Sequence, residues 1–328
     1  MKKYTAKYFE KTSKIIKKHL PTSEVTLQFF QRKNNSILSG INETLDFLSK
    51  YTNTSKYEIK YLPEGSLIKN KEVVLQLKGN YSEFGIYEGL IDGILARATS
   101  LATNAKHIVD VANNKEVIFM GDRMDHYMNQ ALDGYSIALG GIKTQVTDEQ
   151  IRLHGGVAVG TMPHALIQAF EGDLVKALKA YKDVFPNEKL TALVDFNNDV
   201  ITDSIKAFKE FGKDLGAVRV DTASSVSDTM FLNNEEYGIT PNMIKKLRGS
   251  LNKVGANHVK IIVSSGFDVE KIKHFEKLKT PVDIYGIGGS LMKINNSFTG
   301  DAVEMNGKIV AKIGRTKGNI SKLHIYKK

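Results

Sequence analysis

The first third of the chain mixes two hydrophobic periods. Residues 25–32 alternate between apolar and polar in the manner of a β-strand, and residues 73–78 form a second strand-like run. Residues 37–51 repeat apolar positions at helical spacing. Residues 82–111 form a long helical pattern, with Ser82 as its expected N-cap. This part of the chain is therefore predicted to contain both strands and helices.

After residue 111 the pattern becomes regular, because short β-rich runs alternate with helical patterns. Such alternation is typical of parallel strands joined by crossover helices. Helices are expected at 204–211, 241–254 and 269–278, and strands at 117–120, 157–159, 191–194, 217–220, 259–263 and 282–285. Residues 302–313 resemble a hairpin with Asn306-Gly307 at its turn, which is expected to fold back onto the N-terminal region.

Polar or glycine-rich residues follow each predicted strand of this second part. In a (β/α) barrel all the carboxyl ends of the strands meet on one face, which holds the site, whereas an open doubly wound sheet uses chiefly the loops at its switch point. Six such ends favour a barrel, complete or incomplete. The stretches are 121–123, 160–164, 195–199, 219–222, 264–268 and 286–290.

Composition excludes several classes of protein. The 328 residues are 41% hydrophobic, enough for one large or two ordinary domains with a sizeable core. Cysteine is absent, which excludes disulfides, thiolate catalysis and cysteine-bound zinc or iron–sulfur sites. No apolar run reaches the length of a membrane span and no signal peptide is evident, so a cytoplasmic protein without membrane contact is expected.

The formal net charge of +10 has two interpretations. One is a nucleic-acid or nucleotide-binding protein without catalytic activity, attracted to polyanions. The other is a lysine-rich, solvated surface. The lysines are spread along the chain without an aromatic-interleaved basic stripe, so nucleic acid is not an expected partner. Attraction of small phosphorylated substrates is the milder inference.

The turn before His164 is the most informative local motif. An apolar run stops at Gly160-Thr161, Pro163 opens a helical pattern, and His164 stands in its first turn. Histidine changes charge near neutral pH and can act as a nucleophile, and a helix start attracts phosphate. The alternative is a helix-terminal histidine with a structural hydrogen bond. Pro163 and the Gly-Thr turn favour a functional residue because they fix its position, whereas His126 is expected to be structural.

Two neighbouring glycine-containing loops are candidates for binding phosphate. Glycines at 286, 288 and 289 let backbone N–H groups approach a phosphate, although the spacing is neither a dinucleotide fingerprint nor a P-loop. The alternative is a loop that only turns the chain. Ser264, Ser265 and Gly266 at the adjacent predicted strand end favour the phosphate interpretation, because the last two loops of a barrel often form a phosphate cup together.

Charged residues at two other strand ends offer an anion site and a cation site. Arg219 and Asp221 lie on one side of a strand, as a structural ion pair or as ligands for an anion and for a sugar or metal-bound diphosphate. Asp195 and Asp199 offer oxygen ligands suited to Mg²⁺, or caps for the next helix. We expect Asp199 to be a cap and Asp195 to be functional.

Taken in order along nearly the whole chain, these motifs resemble the nicotinate phosphoribosyltransferases. The likeness is greatest to their short bacterial and archaeal form, which is related in fold to quinolinate phosphoribosyltransferase. The matching stretches are 29–32 with 37–41, 95–97, 102–104, 123–127 with 133–135, 160–167, 192–196, 218–222 and 285–288.

The resemblance implies a fold, a reaction and an assembly. The implied fold is an α/β sandwich domain, formed by residues 1–110 and 291–328 with the C-terminal hairpin, and an incomplete (β/α) barrel formed by residues 111–290. Nicotinate would displace pyrophosphate from 5-phosphoribosyl 1-pyrophosphate, giving nicotinate mononucleotide for NAD biosynthesis. ATP hydrolysis would be coupled through transient phosphorylation of His164, in a homodimer or higher homo-oligomer.

The resemblance also implies roles for individual residues. Asp195 and Asp221 would hold the ribose or its Mg²⁺. Arg219, with Arg123 or a partner subunit's Arg97, would pair with the nicotinate carboxylate, because the arginine fork matches a carboxylate. Thr161 and Thr222 are further substrate-binding candidates, and Tyr8 or Phe9 is a candidate for stacking on the pyridine ring. The 5-phosphate would be held by Ser264, Ser265, Gly266, Gly288 and Gly289.

An alternative within the same chemistry is a related phosphoribosyltransferase that uses quinolinate or another base. Quinolinate carries two carboxylates and is decarboxylated, so it would require more cationic groups than nicotinate does. Release of carbon dioxide discriminates between the two substrates.

Overall fold

The computed structural model describes residues 1–231 and 236–327 and divides into two compact units. Unit 1 comprises Met1–Lys106, Ser136–Gly141 and Lys293–Lys328, and unit 2 comprises His107–Tyr135 and Ile142–Met292. The strands are β1 (Val25–Gln31), β2 (Ser36–Ile37), β3 (Tyr57–Tyr61), β4 (Leu67–Ile68), β5 (Val73–Gly79), β6 (Glu116–Phe119), β7 (Thr144–Gln145), β8 (Leu190–Leu193), β9 (Leu215–Val220), β10 (Lys260–Val263), β11 (Ile284–Ile287), β12 (Phe298–Met305), β13 (Lys308–Ile309) and β14 (His324–Ile325).

The α-helices of the described residues range from a single turn to seven turns. They are α1 (Lys7–His19), α2 (Ile41–Tyr51), α3 (Tyr81–Phe84), α4 (Glu88–Val111), α5 (Gln130–Leu139), α6 (Asp148–Ile151), α7 (His164–Ala169), α8 (Leu174–Val184), α9 (Val200–Phe211), α10 (Pro241–Lys253) and α11 (Val269–Lys277). Among these helices, none combines the length and hydropathy that a membrane span needs.

Unit 1 is built on an antiparallel sheet in the order β13-β12-β1-β5-β3-β14. One core joins the sheet to α2 and α4, since buried side chains of β1 and β5 pack with Leu45, Leu48, Ile91 and Leu95. The predicted C-terminal hairpin is confirmed. Asn306 and Gly307 at its turn have positive φ, and β12 pairs with β1 of the N-terminal region.

Unit 2 is built on a curled parallel sheet, a half-barrel, in the order β7-β6-β11-β10-β9-β8. Its concave face is lined by a small apolar cluster of Ile118, Ala217, Ile262 and Ile284, which come from four adjacent strands. Ile262 is aligned with Ile284, whereas Ala217 and Ile118 are each displaced by two residues and therefore point to the same face. Since side chains alternate along a strand, the residues two and four positions further along share this face and reach the carboxyl edge. In the described residues the sheet has two free edges, at β7 and β8.

Two sequence predictions were wrong in detail. Residues 157–159 form no strand, and Val157 is 83% exposed. The second strand of the half-barrel is instead the two-residue β7, which is too short to produce a hydrophobic pattern. The helical pattern predicted from residue 82 begins with the short helix α3, and its N-cap is Asn80 rather than Ser82, because the Asn80 side chain accepts the Ser82 N–H at 3.0 Å.

Candidate functional site

The register of the half-barrel brings three polar side chains to one level of its carboxyl edge. Leu193 is aligned with Arg219, and Arg219 is aligned with Ile262, in parallel neighbouring strands. Asp195, Asp221 and Ser264 each lie two residues beyond one of these positions. The alternation of side chains therefore places all three on the concave face, above the apolar cluster.

The His164 side chain reaches this edge from the start of α7. Pro163 is the N-cap and His164 the first helical residue, as the sequence predicts. His164 Nε2 lies 3.2 Å from Asp195 Oδ1. The Asp195 side chain is only 6% exposed. Burial raises the pKa of Asp195, the hydrogen bond with His164 opposes that rise, and the charge of Asp221 adds to it.

The Arg219 side chain connects the same edge to the segment before α7. Its Nη1 donates to Thr161 Oγ1 at 2.8 Å. Its Nη2 lies 3.9 Å from Asp221 Oδ2, which makes an ion pair without a hydrogen bond. Asp221 in turn accepts from the Ser264 hydroxyl at 2.5 Å. The carboxyl edge thus carries two acidic side chains on the concave face, Asp195 beside His164 and Asp221 beside Arg219.

The two candidate phosphate loops are joined to each other. Ser290 Oγ donates to the Phe267 carbonyl at 2.9 Å, which ties the loop after β11 to the loop after β10. Ser265 and Gly266 both have positive φ (65° and 72°), the left-handed region in which the backbone turns sharply. The sequence predicted the two loops as neighbours, but nothing in the pattern identified Ser290 as the residue that joins them.

The remaining unit 2 candidates differ in exposure. Arg123 is exposed on the loop after β6, and Met124 of that loop lies against Gly288 and Gly289, where an added Cβ would meet it at 3.4 and 3.3 Å. Thr222 is 1% exposed, and its hydroxyl has no hydrogen-bond partner among the described residues.

Three helix caps on unit 2 are structural. Asp199 caps α9 by accepting the Thr202 N–H at 3.1 Å, as predicted. His126 Nδ1 accepts the Met128 N–H at 3.3 Å, which agrees with its expected structural role. Asp228, which no sequence signal indicated, is 1% exposed and accepts the Val200 N–H at 3.1 Å.

Two candidates belong to unit 1. Tyr8 is exposed on α1, where its ring lies 4.3 Å from that of Phe9. Phe9 itself is 9% exposed, so of the two rings only Tyr8 is open to contact. Arg97 is half-buried on α4.

Among the described residues, no group of three or more His, Asp and Glu side chains could by itself hold a metal ion. Asp195 and Asp221 nevertheless suit Mg²⁺, because this ion is commonly bound through one or two carboxylates together with substrate phosphates. The mutual repulsion that contributes to the raised pKa of Asp195 would be relieved by a divalent cation.

Comparison with known proteins agrees with this architecture. The sequence model for the N-terminal domain of quinolinate phosphoribosyl transferase matches residues 7–99. The crystal structure of nicotinate-nucleotide pyrophosphorylase from Pyrococcus furiosus is 32% identical, with a TM-score of 0.86 over 99% of this chain and 82% of that one. This chain belongs to the nicotinate and quinolinate phosphoribosyltransferase family.

Other similar proteins have lower sequence identity. A nicotinate phosphoribosyltransferase of Mycobacterium tuberculosis is 25% identical over 90% of this chain, and one of Bacillus subtilis is 26% identical over 76% of it. The chain spans only 61% and 50% of the lengths of those two relatives. Human nicotinic acid phosphoribosyltransferase, at 17% identity and a TM-score of 0.73 over 95% of this chain and 77% of its own, shares the fold.

Proposed function

We propose that this protein transfers the phosphoribosyl group of 5-phosphoribosyl 1-pyrophosphate to nicotinate, forming nicotinate mononucleotide and pyrophosphate. The observation that carries the proposal is the pair of carboxyl groups at the half-barrel edge, each beside a basic side chain: Asp221 beside Arg219, and Asp195 beside His164. The similarity of this chain to relatives named nicotinate phosphoribosyltransferase supports the choice of nicotinate as the substrate.

Each group at the edge suits one part of this reaction. Cleavage of the C1–O bond builds positive charge on the ribose, which the carboxylates of Asp195 and Asp221 would stabilise, while Mg²⁺ bound there would stabilise the leaving pyrophosphate. The loops with Ser264, Ser265 and Gly266, and with Gly288 and Gly289, would hold the 5-phosphate through backbone N–H groups.

The nicotinate carboxylate is assigned to Arg219, with Arg123 as a second cationic candidate. Nicotinate nitrogen attacks C1 as pyrophosphate leaves with the bonding electron pair, so no proton transfer is needed. Thr222 would line this site, and Tyr8 and Arg97 are retained as candidates that a second subunit of a homo-oligomer would supply. Size-exclusion chromatography with light scattering tests whether such an oligomer forms.

We further propose that ATP drives the reaction through His164. In the tautomer that donates Nε2–H to Asp195, the lone pair of Nδ1 would attack the γ-phosphorus of ATP. The N–P bond would form as the bond to ADP breaks, and Asp195 would stabilise the positive imidazole. Asp195 is well suited to this role because it is buried beside His164.

The test is incubation of the purified protein with nicotinate, phosphoribosyl pyrophosphate and Mg²⁺, with and without ATP. Nicotinate mononucleotide is expected, and ATP is expected to increase its yield. Quinolinate is supplied in a parallel reaction, because the sequence model that matches residues 7–99 is that of the N-terminal domain of quinolinate phosphoribosyl transferase. Release of carbon dioxide from quinolinate without product from nicotinate would replace the proposal by the quinolinate reaction.

A further inference from the structure

The segment before His164 occupies the position of a strand without being one. The Val159 N–H donates to the carbonyl of Gln145 in β7 at 2.9 Å. Gly160 and Thr161, further along, line a small cavity with Leu190 and Thr191 of β8. The segment therefore runs from one free edge of the half-barrel sheet to the other. Because no ladder of backbone hydrogen bonds fixes it there, side-chain contacts must determine where Thr161 lies.

The contacts of Arg219 are unevenly distributed over its guanidinium group. Nη1 is bonded to the Thr161 hydroxyl at 2.8 Å. Nη2 is 3.9 Å from Asp221, beyond hydrogen-bonding distance. Nε is buried and has no hydrogen-bond partner among the described residues. The side chain as a whole is only 16% exposed, so water does not freely satisfy these donors.

The two donors left open are the pair that bind a carboxylate side-on. Nε–H and the adjacent Nη2–H lie parallel on one edge of the guanidinium plane, at the spacing of two carboxylate oxygens. A bond on Nη1 prevents the plane from turning to present its other edge. A neutral amide could accept at one of its atoms but would bring an N–H group against a second donor.

We propose that Thr161 is a positioning residue that fixes the Arg219 guanidinium so that its Nε–Nη2 edge faces a substrate carboxylate. Thr161 thereby determines the preference for an acid over the corresponding amide, although its hydroxyl does not itself contact the substrate. This inference rests on the proposed function, because nicotinate is the acid that Arg219 is assigned to bind. It changes the expected role of Thr161 from binding the substrate to orienting the residue that binds it.

The test compares Thr161→Val, which removes the hydroxyl at nearly constant volume, with Thr161→Ser, which retains it. Thr191→Val is the matched control, since Thr191 lines the same cavity and no function is assigned to it. Thr161→Val removes a hydrogen bond to a charged group, so the KM or Kd for nicotinate should rise roughly 10- to 100-fold. The KM for phosphoribosyl pyrophosphate should change little.

The discrimination between nicotinate and nicotinamide as competing ligands should fall by the same factor, and Thr161→Ser should restore most of it. Equal nicotinate affinity in Thr161→Val and the wild type would overturn the inference, as would an equal loss in Thr191→Val. Thermal unfolding of each variant identifies any folding defect. If Thr161→Val is defective, the nicotinate affinity of Thr161→Ser, which keeps the hydroxyl, tests the inference instead. Calorimetric titration with nicotinate needs no turnover, so failure of the proposed reaction and failure of this inference are separate results.

Discussion

The half-buried carboxylate of Glu88 in unit 1 should make the protein less stable as the pH rises. Glu88 begins α4 and accepts a hydrogen bond from the Tyr81 hydroxyl at 3.2 Å. Burial raises its pKa from 4.5 to about 7, opposed by the Tyr81 hydrogen bond and increased by the charges of Asp92 and Asp301. A carboxyl that is harder to ionise when folded costs stability once it is ionised.

The magnitude follows from the shift. A rise from 4.5 to about 7 corresponds to about 3 kcal/mol, at about 1.4 kcal/mol for each pKa unit. The stability that neutral Glu88 contributes is fully present below pH 4.5, where the carboxyl is protonated in both the folded and the unfolded state. It is lost as the pH rises toward about 7, the pKa of Glu88 in the folded state. Glu88→Gln removes the ionisation, so the variant should gain about 1–3 kcal/mol relative to wild type at pH 8 and little at pH 4.5.

The stability difference between Glu88→Gln and wild type can be measured locally by hydrogen exchange with mass spectrometry on peptides of unit 1. The exchange is followed at several pH values and corrected for the intrinsic exchange rate. A local measurement is preferable because two compact units need not unfold in one transition. Glu58→Gln on β3 is the control, since Glu58 is exposed and its loss should shift stability by less than about 1 kcal/mol at every pH. A stability difference between Glu88→Gln and wild type that does not change with pH would refute the reasoning.

Four further substitutions should have specific outcomes. His164→Ala should abolish ATP stimulation while leaving some ATP-independent transfer in the mononucleotide assay, and unchanged stimulation would remove the proposed role. Gly134→Ala would place a Cβ 2.1 Å from the Gln150 carbonyl oxygen, so about 1–3 kcal/mol or more of stability should be lost in thermal unfolding. Gly249→Ala, on α10 with no atom within 4 Å, should instead gain up to about 1 kcal/mol. Asn80→Ala should destabilise by about 1–2 kcal/mol, since its side chain caps α3 and donates to Ser23 O at 2.9 Å; an unchanged melting temperature would contradict this.

The sequence pattern was sufficient where a strand is buried on both faces. The runs that became β8 to β11 are dense in β-branched and small apolar residues, and their boundaries were predicted to within a few residues. The prediction failed at residues 157–159, because Val-Ala-Val satisfies the local pattern while pairing depends on distant partners. Conversely, β7 and β14 have two residues each and exist only through such partners.

In the candidate site, too, local contacts could be predicted from the sequence and contacts between distant residues could not. The Arg219–Asp221 ion pair and the Asp199 cap follow from local spacing, since alternation and helix capping act over a few residues. The bond between Arg219 and Thr161 joins elements 58 positions apart, and no local rule indicates it. The register of parallel strands, which brings Asp195 beside His164, is likewise a property of the whole sheet.

The pairing of β12 with β1 has a consequence for the order in which the chain can fold during synthesis. Strand β1 lies inside its sheet, and one of its two neighbours is made roughly 270 residues later, about 15–50 s at typical translation rates. Until then β1 presents an unpaired edge, although every one of its residues is buried in the completed sheet. The half-barrel can form during this interval, whereas the sheet of unit 1 must wait for the strand that completes it.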